Sequence, residues 1–102
     1  MIAEEALRRQ EIFRNLEKHL KPLKEAATKV DAGARVYFFG SAAEGRHTSS
    51  SDVDVLILTE ADPGRMHLEL WKAGIKDPFE IHVQPPARID LYRRRSRLVE
   101  IG

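Results

Sequence analysis

The chain has 102 residues, of which 42% are hydrophobic and 32% are charged, and its formal net charge is only +1. This length fits one small domain, 1–102, with a modest core, and the low net charge argues against direct nucleic-acid binding. The absence of cysteine excludes disulfides, zinc–thiolate sites and thiol catalysis. No apolar run approaches the roughly 18 residues of a membrane span, and the charged N-terminus does not resemble a signal peptide, so we expect a soluble cytoplasmic protein.

The first predicted element is a helical segment over residues 3–30. Its apolar residues recur at alternating spacings of three and four, which forms one stripe along a helix. The stripe consists of Phe13, Leu16, Leu20, Leu23, Ala27 and Val30. We expect this stripe to face the core, and a partner-binding helix is the alternative. Pro22 lies inside the segment and predicts a break or kink near residue 21.

The central segment covers about residues 35–84. Aromatic and β-branched residues predict a strand over 35–39, and a short helix is expected at 41–44. A loop over 46–51 then leads to a second predicted strand over 52–59.

The remaining elements begin at the turn Asp62-Pro63-Gly64, which also predicts the start of a helix. That helix has a predicted apolar face of Met66, Leu70, Trp71 and Ile75. A third strand is expected at 79–83, and a basic helix is expected over about 87–99. We interpret the arginine run 93–95 as a solvated face, with contact to an acidic partner or to nucleotide phosphates as the alternative. Strands in separate runs with intervening helices favour an α/β or α+β two-layer domain.

Two aspartates separated by one residue are the main indication of function. Residues two apart in a strand leave the same face, so Asp52 and Asp54 should lie side by side. Two unpaired carboxylates at that spacing would raise each other's pKa by repulsion. A divalent cation between them removes that cost, and oxygen ligands favour Mg²⁺, with Mn²⁺ as the alternative. A solvated pair on a sheet edge is the plainer interpretation.

The Gly40-Ser41 turn ahead of these aspartates predicts a phosphate site. A glycine lets the backbone approach a ligand closely, and a helix that starts there directs free N–H groups at an anion. Ser41 adds a hydroxyl donor, and its alternative role is a helix N-cap. A phosphate site beside a metal-binding carboxylate pair indicates phosphoryl or nucleotidyl transfer.

A third carboxylate lies on the third predicted strand. Glu80 and His82 share the face opposite the apolar residues of that strand. We predict that Glu80 completes a two-metal site, with a plain surface acid as the alternative. The four histidines lack metal-ligand spacing among themselves. Only His82 lies on the predicted site face, where it is a candidate helper.

These features form one pattern: Gly-Ser, ten intervening residues, Asp52-Val53-Asp54, and a later acid between apolar residues. The pattern resembles the minimal nucleotidyltransferases of the DNA polymerase β superfamily, in register over about residues 35–84. The resemblance implies a small mixed sheet with helices packed on one face. It also implies a chain that acts on a nucleoside triphosphate.

The resemblance further implies a role for each motif residue. Asp52, Asp54 and Glu80 would hold two Mg²⁺ ions, and Glu80 would accept the proton of the attacking hydroxyl. Gly40 and Ser41 would bind the β- and γ-phosphates of the incoming nucleotide. Members of this size resemble the antitoxin half of a toxin–antitoxin pair. In such pairs, AMP from ATP is transferred to a tyrosine of an all-helical HEPN partner.

Two features of the sequence keep other functions open. Many relatives carry a basic residue where this chain has Glu44, and Arg46 is the candidate that supplies the missing charge at the phosphates. An acid at that place favours the alternative of a non-catalytic subunit that neutralises a helical partner by binding. Nucleotidyl transfer to a small molecule or to RNA is a third interpretation.

Overall fold

The computed structural model describes residues 2–48 and 50–102, so position 49 of the predicted loop lies outside the described residues. The helices are α1 (Ile2–Arg14), α2 (Leu16–Val30), α3 (Ser41–Glu44), α4 (Pro63–Lys72) and α5 (Ile89–Arg95), which follows a 3₁₀ turn at Pro86–Arg88. The strands are β1 (Arg35–Phe39), β2 (Val53–Leu58), β3 (Phe79–Gln84) and β4 (Val99–Ile101). None of the described helices is long and apolar enough to cross a membrane.

The four strands form one mixed sheet in the order β3-β2-β1-β4. β1 pairs antiparallel with β2 and with β4, whereas β2 and β3 are parallel. A parallel pair needs a crossover connection, and α4 supplies it between β2 and β3. The predicted α/β class with a small mixed sheet is confirmed.

The main core lies on the face of the sheet that α2 and α4 cover. Alternate residues of β2, namely Val53, Val55 and Ile57, point into it and are fully buried. Met66 and Leu70 of α4 meet them there. The predicted core-facing stripe is confirmed, because its members Leu20, Leu23 and Ala27 are fully buried and Phe13, Leu16 and Val30 pack against the same core.

The opposite face of the sheet carries a smaller cluster. Its buried members are Tyr37, Leu56 and Leu58, and the C-terminal residues Ile89, Tyr92 and Leu98 pack against them. Asp54 alternates with the residues of the main core, so it lies on the same face as this second cluster.

Of the predicted break or kink near residue 21, the break does not occur. The helical segment divides at Asn15, and Pro22 lies inside α2. A proline there removes one backbone hydrogen bond. Burial of Leu20 and Leu23, which flank Pro22 and are both fully buried, stabilises the helix by roughly 1.5–3 kcal/mol per side chain and offsets that loss.

The N-terminus of α4 begins as predicted, with Asp62 as N-cap. The Asp62 carboxylate accepts a hydrogen bond from the backbone N–H of Arg65 at 2.9 Å. The predicted apolar face is wrong at Trp71, a residue that is 71% exposed. Trp71 lies about 100° around the helix from its buried neighbour Leu70, and the sheet covers only one side of α4.

The predicted helix over 87–99 is wrong over its last four residues, 96–99. α5 ends at Arg95, and Val99–Ile101 forms the edge strand β4 beside β1. Glu100 of β4 makes two hydrogen bonds with the Arg35 guanidinium of β1, at 2.9 and 3.0 Å. Main-chain pairing with β1 and this ion pair favour the strand over further helix.

Candidate active site

Asp54 is the centre of the candidate site, and the sheet register places its neighbours. It lies opposite Phe39 of β1 on one side and opposite Glu80 of β3 on the other. Because β2 and β3 are parallel and in register, the side chains of Asp54 and Glu80 leave the same face of the sheet. The structure therefore brings together two of the three predicted acids.

The electrostatics of Asp54 reflect this crowding. Burial raises the pKa of the Asp54 carboxyl, and the nearby Glu80 carboxylate raises it further. The charge of His82 opposes this rise in pKa, and Asp52 makes the smallest contribution to it. The expected repulsion between carboxylates is therefore present, but it comes mainly from Glu80 and less from Asp52.

A cluster of three possible metal ligands forms at this point of the sheet. Donor atoms of Asp54, Glu80 and His82 all lie within 4.8 Å of one another. The two carboxylates of the cluster suit a divalent cation such as Mg²⁺ or Mn²⁺, and the imidazole adds a nitrogen donor. His82 belongs to this cluster although the spacing of the histidines in the sequence gave no indication of a metal site.

Asp52 has a different environment from Asp54. The predicted strand over 52–59 starts one residue later, at Val53, so Asp52 lies just before β2. Its Oδ1 is 3.3 Å from Nη1 of Arg9, and the same nitrogen donates to the carbonyl of Ser51 at 2.8 Å. Asp52 is thus next to the cluster along the chain but paired with a cation from α1.

Gly40 borders directly on Asp54. Its backbone has φ 70° and ψ −147°, and a Cβ placed there would lie 2.4 Å from Oδ2 of Asp54. Only glycine fits this conformation and this space. The group that Gly40 approaches in the structure is the Asp54 carboxylate, and its approach to a phosphate stays a prediction. The Gly40 N–H donates to Oγ of Ser96 at 3.1 Å.

The other residues predicted for the phosphates lie along the same turn. Ser41 is the first residue of the short helix α3 and is half-buried. Arg46 lies in the exposed loop after α3, where its guanidinium donates to the Glu44 carboxylate at 3.0 Å. The acid that departs from the usual pattern is therefore paired with the candidate arginine.

Several residues of the site could not be found from the sequence. Arg9 reaches Asp52 across 43 positions of the chain, and Ser96 reaches Gly40 across 56. The rings of Phe39 and Tyr92 contact the His82 ring edge to face. No local pattern indicates such contacts, because they depend on how α1 and α5 pack against the sheet.

Comparisons with known proteins agree with this geometry. A family model described as a nucleotidyltransferase domain matches residues 16–101. A solved structure provisionally named a nucleotidyltransferase superposes with a TM-score of 0.64 at 26% identity, over 82% of this chain and 98% of that chain. Another provisionally named nucleotidyltransferase, from Sulfolobus solfataricus, shares the fold with a TM-score of 0.60 at 20% identity, over 92% of this chain and 85% of that chain. A search of curated proteins found no match. The chain belongs to the nucleotidyltransferase domain family.

Proposed function

We propose that this chain is a divalent-cation-dependent nucleotidyltransferase that transfers AMP from ATP to a tyrosine hydroxyl of an all-helical HEPN partner, and so acts as an antitoxin. The observation that carries the transfer chemistry is the meeting of Asp54 and Glu80 beside the Gly40 turn. Family membership supports nucleotidyl transfer as the reaction class.

The ligand set proposed for two Mg²⁺ ions is Asp52, Asp54 and Glu80. A bound divalent cation would offset the negative charge that the triphosphate develops as pyrophosphate leaves. The half-buried Asp54 supplies the central carboxylate of the set, and Asp52 becomes available once it separates from Arg9.

The other side chains have positioning and proton-transfer roles in this proposal. The bare backbone of Gly40 and the hydroxyl of Ser41 hold the β- and γ-phosphates, with Arg46 as the nearby cation. The Glu80 side chain is 58% exposed, so an acceptor hydroxyl can reach it from solvent and transfer its proton to the carboxylate.

The test is incubation of the chain with the co-encoded helical protein, Mg²⁺ and α-labelled ATP. We expect label on a tyrosine of the partner, and none with the variants Asp52→Asn, Asp54→Asn or Glu80→Gln. Asp62→Asn is a matched control, because asparagine also caps helices and Asp62 follows the opposite end of β2. An unlabelled partner with the wild-type chain would contradict the proposed acceptor. Equal labelling by wild type and the Asp54 variant would contradict the proposed site.

A second candidate function is neutralisation of the helical partner by binding alone. The exposed apolar surface of α4 favours it, since Leu68 is 49% exposed and Trp71 is 71% exposed one turn later. This candidate predicts that Asp54→Ala still protects cells from the partner, whereas Trp71→Ala does not. Loss of protection by Asp54→Ala with partner binding retained would refute it.

A further inference from the structure

His82 occupies a central position in the candidate site. Its Nε2 atom lies 3.9 Å from Oδ1 of Asp54 and 3.9 Å from Oε1 of Glu80. These separations are longer than a hydrogen bond, so the nitrogen faces both carboxylates without donating to either. The His82 side chain is one-third exposed.

Two aromatic rings hold the imidazole in this orientation. The Phe39 ring lies 5.2 Å from the His82 ring at an interplanar angle of 62°, and the Tyr92 ring lies 6.2 Å away at 73°. Phe39 and Tyr92 also contact each other edge to face at 5.6 Å. Because these rings pack around the imidazole, its rotation is restricted and its nitrogen is preorganised toward the carboxylates.

The distances suit one shared cation. Two donors that bind the same octahedral ion at about 2.1 Å lie about 3 Å apart when adjacent and about 4 Å apart when opposite. The two separations of 3.9 Å from Nε2 exceed the adjacent spacing by about 1 Å. Only one carboxylate can lie opposite the nitrogen, so at least the other must move closer to it. Small side-chain shifts would therefore let one ion contact the nitrogen and both carboxylates.

We propose that Nε2 of His82 is a ligand of the divalent ion that Asp54 and Glu80 hold, and that it makes this site prefer Mn²⁺ to Mg²⁺. The inference rests on the proposed function, which places a divalent ion among these carboxylates. Mg²⁺ and Mn²⁺ both suit the two carboxylates, but Mn²⁺ is a transition-metal ion and accepts an imidazole nitrogen more readily than Mg²⁺ does. His82 thus shifts the preference of this site from Mg²⁺ toward Mn²⁺.

The experiment measures metal binding directly and does not depend on transfer activity. Pulsed EPR of the chain loaded with Mn²⁺ should show a hyperfine coupling to a histidine nitrogen, and labelling histidine with the heavier nitrogen isotope should change it. The coupling should disappear in His82→Gln and persist in His67→Gln, an exposed histidine on α4 that serves as the control. By calorimetry, His82→Gln should lower Mn²⁺ affinity about tenfold or more, with a change of less than about threefold for Mg²⁺.

The possible results separate this inference from the proposed function. Suppose that wild type binds Mn²⁺ without a nitrogen coupling and that Mn²⁺ affinity is unchanged in His82→Gln. This result would overturn the inference and leave the carboxylate site intact. Equal losses of Mn²⁺ and Mg²⁺ affinity in His82→Gln would overturn the selectivity. Absence of binding of either metal to wild type would overturn both the inference and the metal dependence of the proposed function.

Discussion

Replacing Gly40 by alanine should abolish most of the transfer activity at a modest cost in stability. The backbone of Gly40, at φ 70° and ψ −147°, lies in a region that is essentially restricted to glycine. An alanine there costs about 1–3 kcal/mol in backbone strain. Alanine also reduces the conformational freedom of the unfolded chain, which offsets about 0.4–1 kcal/mol of that cost.

The effect on the site should be larger than the effect on the fold. The added Cβ would lie 2.4 Å from Oδ2 of Asp54, so the carboxylate must move by about 1 Å to reach ordinary contact distance. A displacement of about 1 Å in a catalytic group can lower a rate about 100-fold. We therefore expect Gly40→Ala to reduce the transfer rate by about two orders of magnitude.

Gly45→Ala is the matched control. Gly45 also has a positive φ, 69°, but a Cβ at this position meets no atom within 4 Å. An alanine in this left-handed conformation lowers the stability of the fold by about 1–2 kcal/mol. For a chain of this length, each 1 kcal/mol lowers Tm by about 4–8 °C. Both variants should thus melt at somewhat lower temperatures and remain folded under the assay conditions.

The assay compares the initial rate of α-labelled AMP transfer for wild type, Gly40→Ala and Gly45→Ala, with Tm from circular dichroism. We expect the Gly45 variant to retain a rate within about threefold of wild type. A Gly40 variant as active as the Gly45 variant would refute the argument that Gly40 leaves the space that Asp54 occupies. If Gly40→Ala does not fold, two substitutions of Asp54 test the placement of the carboxylate instead. Asp54→Glu keeps a carboxylate at this position and should lose less Mn²⁺ affinity than Asp54→Ala.

Three further predictions concern charged side chains. Since burial raises the pKa of Asp54 in the folded state, ionisation of Asp54 lowers stability as pH rises above the unfolded value of 3.8. Asp54→Asn should therefore raise the metal-free Tm at neutral pH, and a lower Tm would contradict this. The Thr59 hydroxyl, which donates to the Asp31 carboxylate at 2.5 Å, lowers the pKa of Asp31. That stabilisation is present above pH 3.8 and is lost as pH falls through the folded pKa, so Thr59→Val should flatten the acid limb of an unfolding curve. Arg9→Gln should raise Mg²⁺ affinity about fivefold in calorimetry, because an ion pair at 3.3 Å whose Asp52 partner is half exposed is worth about 1 kcal/mol. An unchanged affinity would show that Arg9 does not compete with the ion.

Local signals were sufficient to predict most of the fold. The aromatic and β-branched run predicted the bounds of β1, and Asp62 with Pro63 predicted the start of α4. The missed strand, Val99–Ile101, has only three residues, too few for a period to be visible. Its partner β1 is some 60 residues away in the chain, so its pairing has no local signature.

The amino-acid sequence specifies which residue types are available for chemistry: a glycine turn, two aspartates separated by one residue, and an acid on a later strand. How these residues group depends on the tertiary fold. The parallel register of β2 and β3 joins Asp54 to Glu80 and His82, whereas packing of α1 pairs Asp52 with Arg9. Strand register and helix packing are set by burial of the apolar residues across the whole core, so the arrangement of the charges follows from contacts that no short motif contains.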